Sequence, residues 1–207
     1  MAVRKRIRLR IAALGAMTAL ASMILPTAGR SQSATAPQYT YSGELVTPSG
    51  FETWVFVGTN LGLAYKQELK LTTARETAQA DKQVFHNIYI NPEAYAYFKE
   101  KHEFPELTML VMEIFTAADK EPKNVLTAGV YNDKRIGLQV AVKDSRHPSS
   151  PGRPWAYYIP QDFMKSEPVA PSSAAFPDNS CESCHHEHAS LDNVWVQFYP
   201  TLNKLLK

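Results

Sequence analysis

Val84-Phe85-His86-Asn87-Ile88-Tyr89-Ile90, running directly into Asn91-Pro92-Glu93-Ala94-Tyr95, is the stretch that decides the fold. Aromatic and β-branched residues dominate the first part, so it reads as a strand. Alternation puts Phe85, Asn87 and Tyr89 on one face and His86, Ile88 and Ile90 on the other. Asn91 has the chemistry of a helix N-cap and Pro92 suits a first helical turn. A helix is therefore predicted from here to about Glu100.

Toward the C-terminus, Thr108 to Phe115 (TMLVMEIF) is a second strand, with Leu110, Met112 and Ile114 on one face and Met109, Val111, Glu113 and Phe115 on the other. Val125 to Tyr131 and Ile136 to Lys143 read as two more, joined by a hairpin turn at Asn132-Asp133-Lys134. Residues 144–154 hold three prolines and a glycine and read as a loop. Trp155 to Ile159 is a fifth strand, 160–180 is Pro- and Ser-rich and irregular, and Cys181 to Tyr199 alternates between loop and helix before a short closing helix. Toward the N-terminus, 59–83 reads as a loop with a partial helix, Phe51 to Gly58 as a helical turn or a strand, and 37–50 as an extended lead-in. Hairpin-like strands with few helices between them predict an α+β fold, a mainly antiparallel sheet with a few helices packed on it.

The N-terminus has a different character. Arg4, Lys5, Arg6, Arg8 and Arg10 precede an uncharged run of 15 residues, Ile11 to Leu25, and then Pro26 and a small, polar stretch to Ala36. This is the layout of a secretory signal peptide. A retained membrane anchor is the competing reading, but the run falls short of the ~18–20 apolar residues a spanning helix needs. Residues 1–36 are read as signal peptide and leader, 37–207 as a single domain, and the protein as periplasmic. The chain has 22 Lys and Arg against 20 Asp and Glu. Without the leader the balance is 16 against 20, net −4, so the basicity belongs to export and no nucleic-acid footprint remains.

Only two cysteines occur, in Cys181-Glu182-Ser183-Cys184-His185. C-x-x-C-H is the attachment signature of haem c. Each thiol adds across one porphyrin vinyl group, and the adjacent histidine is held where a ring nitrogen can bind the iron. The tethers keep the cofactor in a compartment where dissociated haem would be lost. A disulfide would close a very short loop and restrain the unfolded chain little. A zinc site could draw on Cys181, Cys184, His185, His186 and His188. A thioredoxin-type pair would require a βαβ setting, which the pattern lacks. His186, His188, His102 and His147 read as polar surface or packing residues.

Several segments together resemble the cytochrome P460 family, with its cytochrome c′-β relatives. They are Trp54 to Gly58, Asn87 to Tyr95, Glu103-Phe104-Pro105, Met112-Glu113, Val140 to Asp144, Trp155 to Tyr158, Cys181 to His185, Asp192-Asn193 and Gln197 to Pro200. The likeness covers most of residues 40–203. It implies an antiparallel β fold, usually a homodimer, with one five-coordinate haem c bound by Cys181, Cys184 and His185 and an open distal face. Members called P460 oxidise hydroxylamine; those called c′-β bind nitric oxide. P460 enzymes carry a lysine cross-linked to the porphyrin edge, and the aligned position here is Met112, which has no amine. The chain therefore looks closer to c′-β.

Met112 reads either as packing beside the macrocycle or as an iron ligand. His86 is the distal candidate, able to hydrogen-bond a small ligand or take a proton from peroxide; a histidine satisfied at a sheet edge or dimer contact is the alternative. Phe51, Trp54, Phe56 and Phe85 could form an apolar lid or ordinary core. The leading expectation is a mono-haem c-type cytochrome with an open iron that binds nitric oxide or similar small ligands. The alternatives are a haem enzyme with peroxidase-like or hydroxylamine-oxidising activity, and a six-coordinate electron-transfer cytochrome.

Overall fold

The computed structural model describes residues 35–64, 83–118, 129–147, 152–165, 167–177 and 181–207. The expected signal peptide thus lies almost wholly outside the described residues, as do most of the 59–83 segment and the first part of the Val125–Tyr131 strand. Among the described residues, no helix is long and apolar enough to cross a membrane.

Five strands form one antiparallel sheet in the order β2-β3-β4-β5-β6: β2 Val55–Leu61, β3 Val84–Ile90, β4 Thr108–Ala118, β5 Tyr131–Lys143 and β6 Trp155–Gln161. Every strand pairs with its sequence neighbour, so the sheet is a meander. A two-stranded ribbon, β1 Leu45–Val46 with β7 Ser172–Ser173, forms a second, smaller sheet. The α+β expectation holds. Phe51 to Gly58 is both things the sequence offered: a 3₁₀ turn over Phe51–Thr53, then the start of β2.

The expected hairpin at Asn132-Asp133-Lys134 is wrong. These residues lie inside β5, where Asn132 pairs with Ala117 and Tyr131 with Ala118. The weakly patterned Thr116-Ala117-Ala118 extends β4 past Phe115 and gives β5 a longer partner than the hydrophobic pattern showed. Two irregularities near Phe115 absorb the mismatch, and the Lys134 N–H donates to Thr116 Oγ1 at 3.1 Å.

Helix α1 (Pro92–Lys101) starts where expected. Its N-cap residue Asn91 makes no side-chain cap bond. Instead Asn91 Oδ1 accepts from the Met109 N–H at 2.8 Å, and its amide donates to the Leu107 carbonyl, tying the helix start to β4. A buried amide surrounded by backbone groups is best satisfied there.

The sheet buries both faces. One face carries Ile88, Ile90, Leu110, Trp155 and Tyr157, and meets Phe98 of α1, Phe104, and Val194, Val196 and Leu202 of the C-terminal segment. The other carries Met109, Val111, Leu138, Val140 and Tyr158 and is covered by Leu45, Phe51 and Trp54. The C-terminal segment approaches β2 closely at Gly58, where a Cβ would stand 3.0 Å from Pro200 Cδ and 3.2 Å from the Phe198 carbonyl. Only glycine fits such a backbone approach without displacement.

Candidate functional site

The C-x-x-C-H residues open helix α2 (Glu182–His188), with Cys181 at its N-cap. Cys181 and Cys184 are thiols, not joined by a disulfide. Cys181 packs against the same buried cluster as Ile88 and Trp155, which places the motif over that face of the sheet. Among the described residues no three His, Cys, Asp or Glu side chains converge to hold a metal ion. His186 and His188 are exposed. His102 caps α1 with left-handed backbone, and His147 stacks on Tyr39 at 3.9 Å, so both have structural roles.

Glu182, between the cysteines, is buried. It pairs with Arg153, and Glu182 Oε1 accepts from Asn193 Nδ2 at 2.9 Å. His185 Nδ1 stands 2.8 Å from the Asn193 carbonyl. A carbonyl only accepts, so the proton sits on Nδ1 and the lone pair on Nε2. Nε2 accepts from the Trp195 indole N–H at 3.2 Å. Tyr157 and Trp195 flank the ring, with centroids at 4.6 and 5.5 Å. Burial holds the His185 imidazole below its ordinary pKa, against the opposing pull of the Asn193 carbonyl and Glu182. The ring is therefore neutral near pH 7, the form a metal requires.

Strand register supplies the surroundings. Ile88, Met112 and Gln139 form one row across β3, β4 and β5, and Asn60, His86 and Ile114 form the next across β2, β3 and β4. Met112 packs against the cluster that receives Cys181. Met112 and, by alternation, His86 therefore lie on the motif side of the sheet. Of the two readings of the aromatics, core packing holds for Phe51 and Trp54, which lie on the face away from the motif, and Phe56 and Phe85 alternate to that side with Tyr89.

A family model described as cytochrome P460 matches residues 48–196, well over half the chain. The chain belongs to the cytochrome P460 family. No curated protein matches it significantly. Membership makes it a haem cytochrome, and the residues fit that cofactor. Two thiols one helical turn apart, with the next side chain a neutral imidazole whose tautomer leaves Nε2 as donor, form the donor set an iron porphyrin needs.

In this cytochrome P460 family member, strand pairing brings two polar residues beside Met112 and His86 that the sequence alone did not single out. Gln139 stands directly across from Met112, and Asn60 across from His86, with His86 Nδ1 2.8 Å from Asn60 Oδ1. Non-local pairing places them, and only the β4–β5 and β2–β3 registers could have revealed them.

Burial holds His86 below the usual imidazole range. The unfolded chain then binds the proton more readily than the folded one. His86 contributes stability that is full above about pH 6.5 and is lost as pH falls through its depressed folded pKa. His86→Gln should therefore lose less thermal midpoint between about pH 7 and about pH 5 than the parent protein. An equal loss in both would show that His86 does not carry this linkage.

Proposed function

We propose that the chain is an exported, mono-haem c-type cytochrome of the periplasm, with haem attached through Cys181, Cys184 and His185 and an open distal position that binds nitric oxide or a similar small neutral ligand. The observation that carries the reading is the pinned His185. Its Nδ1–H is fixed on the Asn193 carbonyl, so the Nε2 lone pair, which here accepts from the Trp195 indole N–H, is the one that would turn to iron, on a helix whose Cys181 packs against an apolar sheet face. The haem supplies an iron with a coordination position for the exogenous molecule.

The chain's own residues do the rest. His185 would bind the iron, Cys181 and Cys184 would tether the porphyrin, and the apolar side chains of Ile88 and Met112 would disfavour charged ligands. Met112 fills space beside the macrocycle in place of the family's cross-linking lysine, which supports the c′-β-like reading. The leader over residues 1–36 supports export. A second reading, peroxide-dependent oxidation, draws on His86: its neutral imidazole on the motif side has a ring nitrogen besides the one at Asn60 that can move a proton.

Absorption spectra of the matured protein test the proposal. The expected result is a high-spin, five-coordinate ferrous spectrum that changes on adding nitric oxide. A low-spin spectrum indifferent to added ligand would mean that a side chain of the protein fills the sixth position, and would leave electron transfer. A strongly red-shifted Soret band would mean that a porphyrin cross-link exists.

A further inference from the structure

The turn Asp192-Asn193 is built at a conformational cost. Asp192 and Asn193 have φ of 45° and 61°, and they are two of only four non-glycine residues with positive φ among the described residues. Leu191 and Val194 bridge across them, with the Val194 N–H donating to the Leu191 carbonyl at 2.8 Å. This is the backbone of a type I′ turn, which requires left-handed residues at both central positions. Asp and Asn tolerate that region better than other side chains do, yet the strain must be held in place by the surroundings.

Asp192 holds the turn to the sheet. Its carboxylate accepts from Trp155 Nε1 at 3.1 Å and from Lys143 Nζ at 2.7 Å, and Lys143 also donates to the Phe104 carbonyl. Asn193 holds the turn to the motif helix, through its amide on Glu182 and its carbonyl on His185 Nδ1. The ring of His185 is thus oriented by the sheet, through this turn, as well as by its own short helix.

We propose that Asp192-Asn193 is a positioning device for the axial histidine. The left-handed backbone aims the Asn193 carbonyl at Nδ1–H, which fixes the azimuth of the imidazole and strengthens its electron donation to iron. This rests on the haem reading above. Stronger donation favours ferric iron, so the turn sets both the reduction potential and the strength of the iron–histidine bond.

Asn193→Val tests it, because a β-branched residue resists the left-handed region. Asn193→Gly is the control, because glycine keeps that backbone without the side chain. In matured protein, Asn193→Val should raise the potential and lower the ferrous iron–histidine stretching frequency by resonance Raman. Asn193→Gly should return both to the parent values while its thermal midpoint still falls through loss of the Glu182 tie. The proposal is overturned if both variants carry haem and neither observable moves in Asn193→Val, or if Asn193→Gly shifts them as far. Should Asn193→Val yield no haem protein, Asp192→Ala, which cuts the turn from Trp155 and Lys143, must move both observables in the same direction or the idea falls. Haem mass in the parent protein separates this from the parent reading: no attached porphyrin sinks the haem assignment, whereas attached porphyrin with unmoved spectra sinks only the turn.

Discussion

Alanine at both Cys181 and Cys184 is expected to give a folded chain with no covalently bound porphyrin. Under denaturing mass spectrometry, the parent protein matured in a cytochrome-competent host should carry one haem, and the double variant none. Each single variant should retain one thioether and mature in lower yield. Both thiols are half-buried and no disulfide joins them, so removing them costs the fold little, within about 1 kcal/mol. The far-UV circular dichroism of the double variant should match that of the parent without haem. The effect on the cofactor is all-or-none because what remains is one imidazole on a seven-residue helix. A double variant that still carried covalent haem would show that attachment uses other atoms.

That motif was the most legible part of the site, because three chemically distinctive residues in five positions need no tertiary information. The central strands were legible for a related reason. Val84–Ile90 and the body of β4 are mostly apolar on both faces of a doubly covered sheet, and they are rich in aromatic and β-branched residues. The outer end of β5 was not legible. Asn132-Asp133-Lys134 is good turn chemistry, and only the extended partner strand at Ala117 and Ala118 overrides it.

The face on which each aromatic packs was equally hidden. Phe51 and Trp54 precede β2, and nothing local shows that they cross to the side of the sheet away from the motif. The axial histidine's surroundings were half legible. Asp192-Asn193 was visible as part of the family pattern, but its contacts with Trp155, Lys143 and Glu182 join residues distant in sequence. Arg153, in a segment read only as a loop, gave no local sign that it would be the counter-ion of the residue between the cysteines.

Arg153→Ala should be among the most destabilising single substitutions in the motif region. The Glu182 side chain is 0% exposed and has Arg153 as its charged partner. Removing the guanidinium leaves a buried carboxylate that accepts from the Asn193 amide but has lost its charged partner. Breaking a fully buried pair in this way costs about 3–5 kcal/mol; with the Arg153 side chain 42% exposed, about 2–3 kcal/mol is expected, read from denaturant unfolding. Glu182→Gln should cost only about 1 kcal/mol, because the amide oxygen still accepts from Asn193 and no charge is stranded.

The decisive comparison is the double variant Arg153→Ala/Glu182→Gln, which should be more stable than Arg153→Ala alone. That ordering is the signature of a desolvated carboxylate, and simple loss of packing cannot produce it. Additive costs in the double variant would show instead that water reaches Glu182 once Arg153 is gone. The consequence reaches the cofactor because α2 is too short to persist without tertiary anchors. If the stranded charge pushes Glu182 outward, the helix that carries Cys184 and His185, with Cys181 at its N-cap, leaves the sheet face with it. Haem attachment in Arg153→Ala should then fall in step with its loss of stability and recover in the double variant.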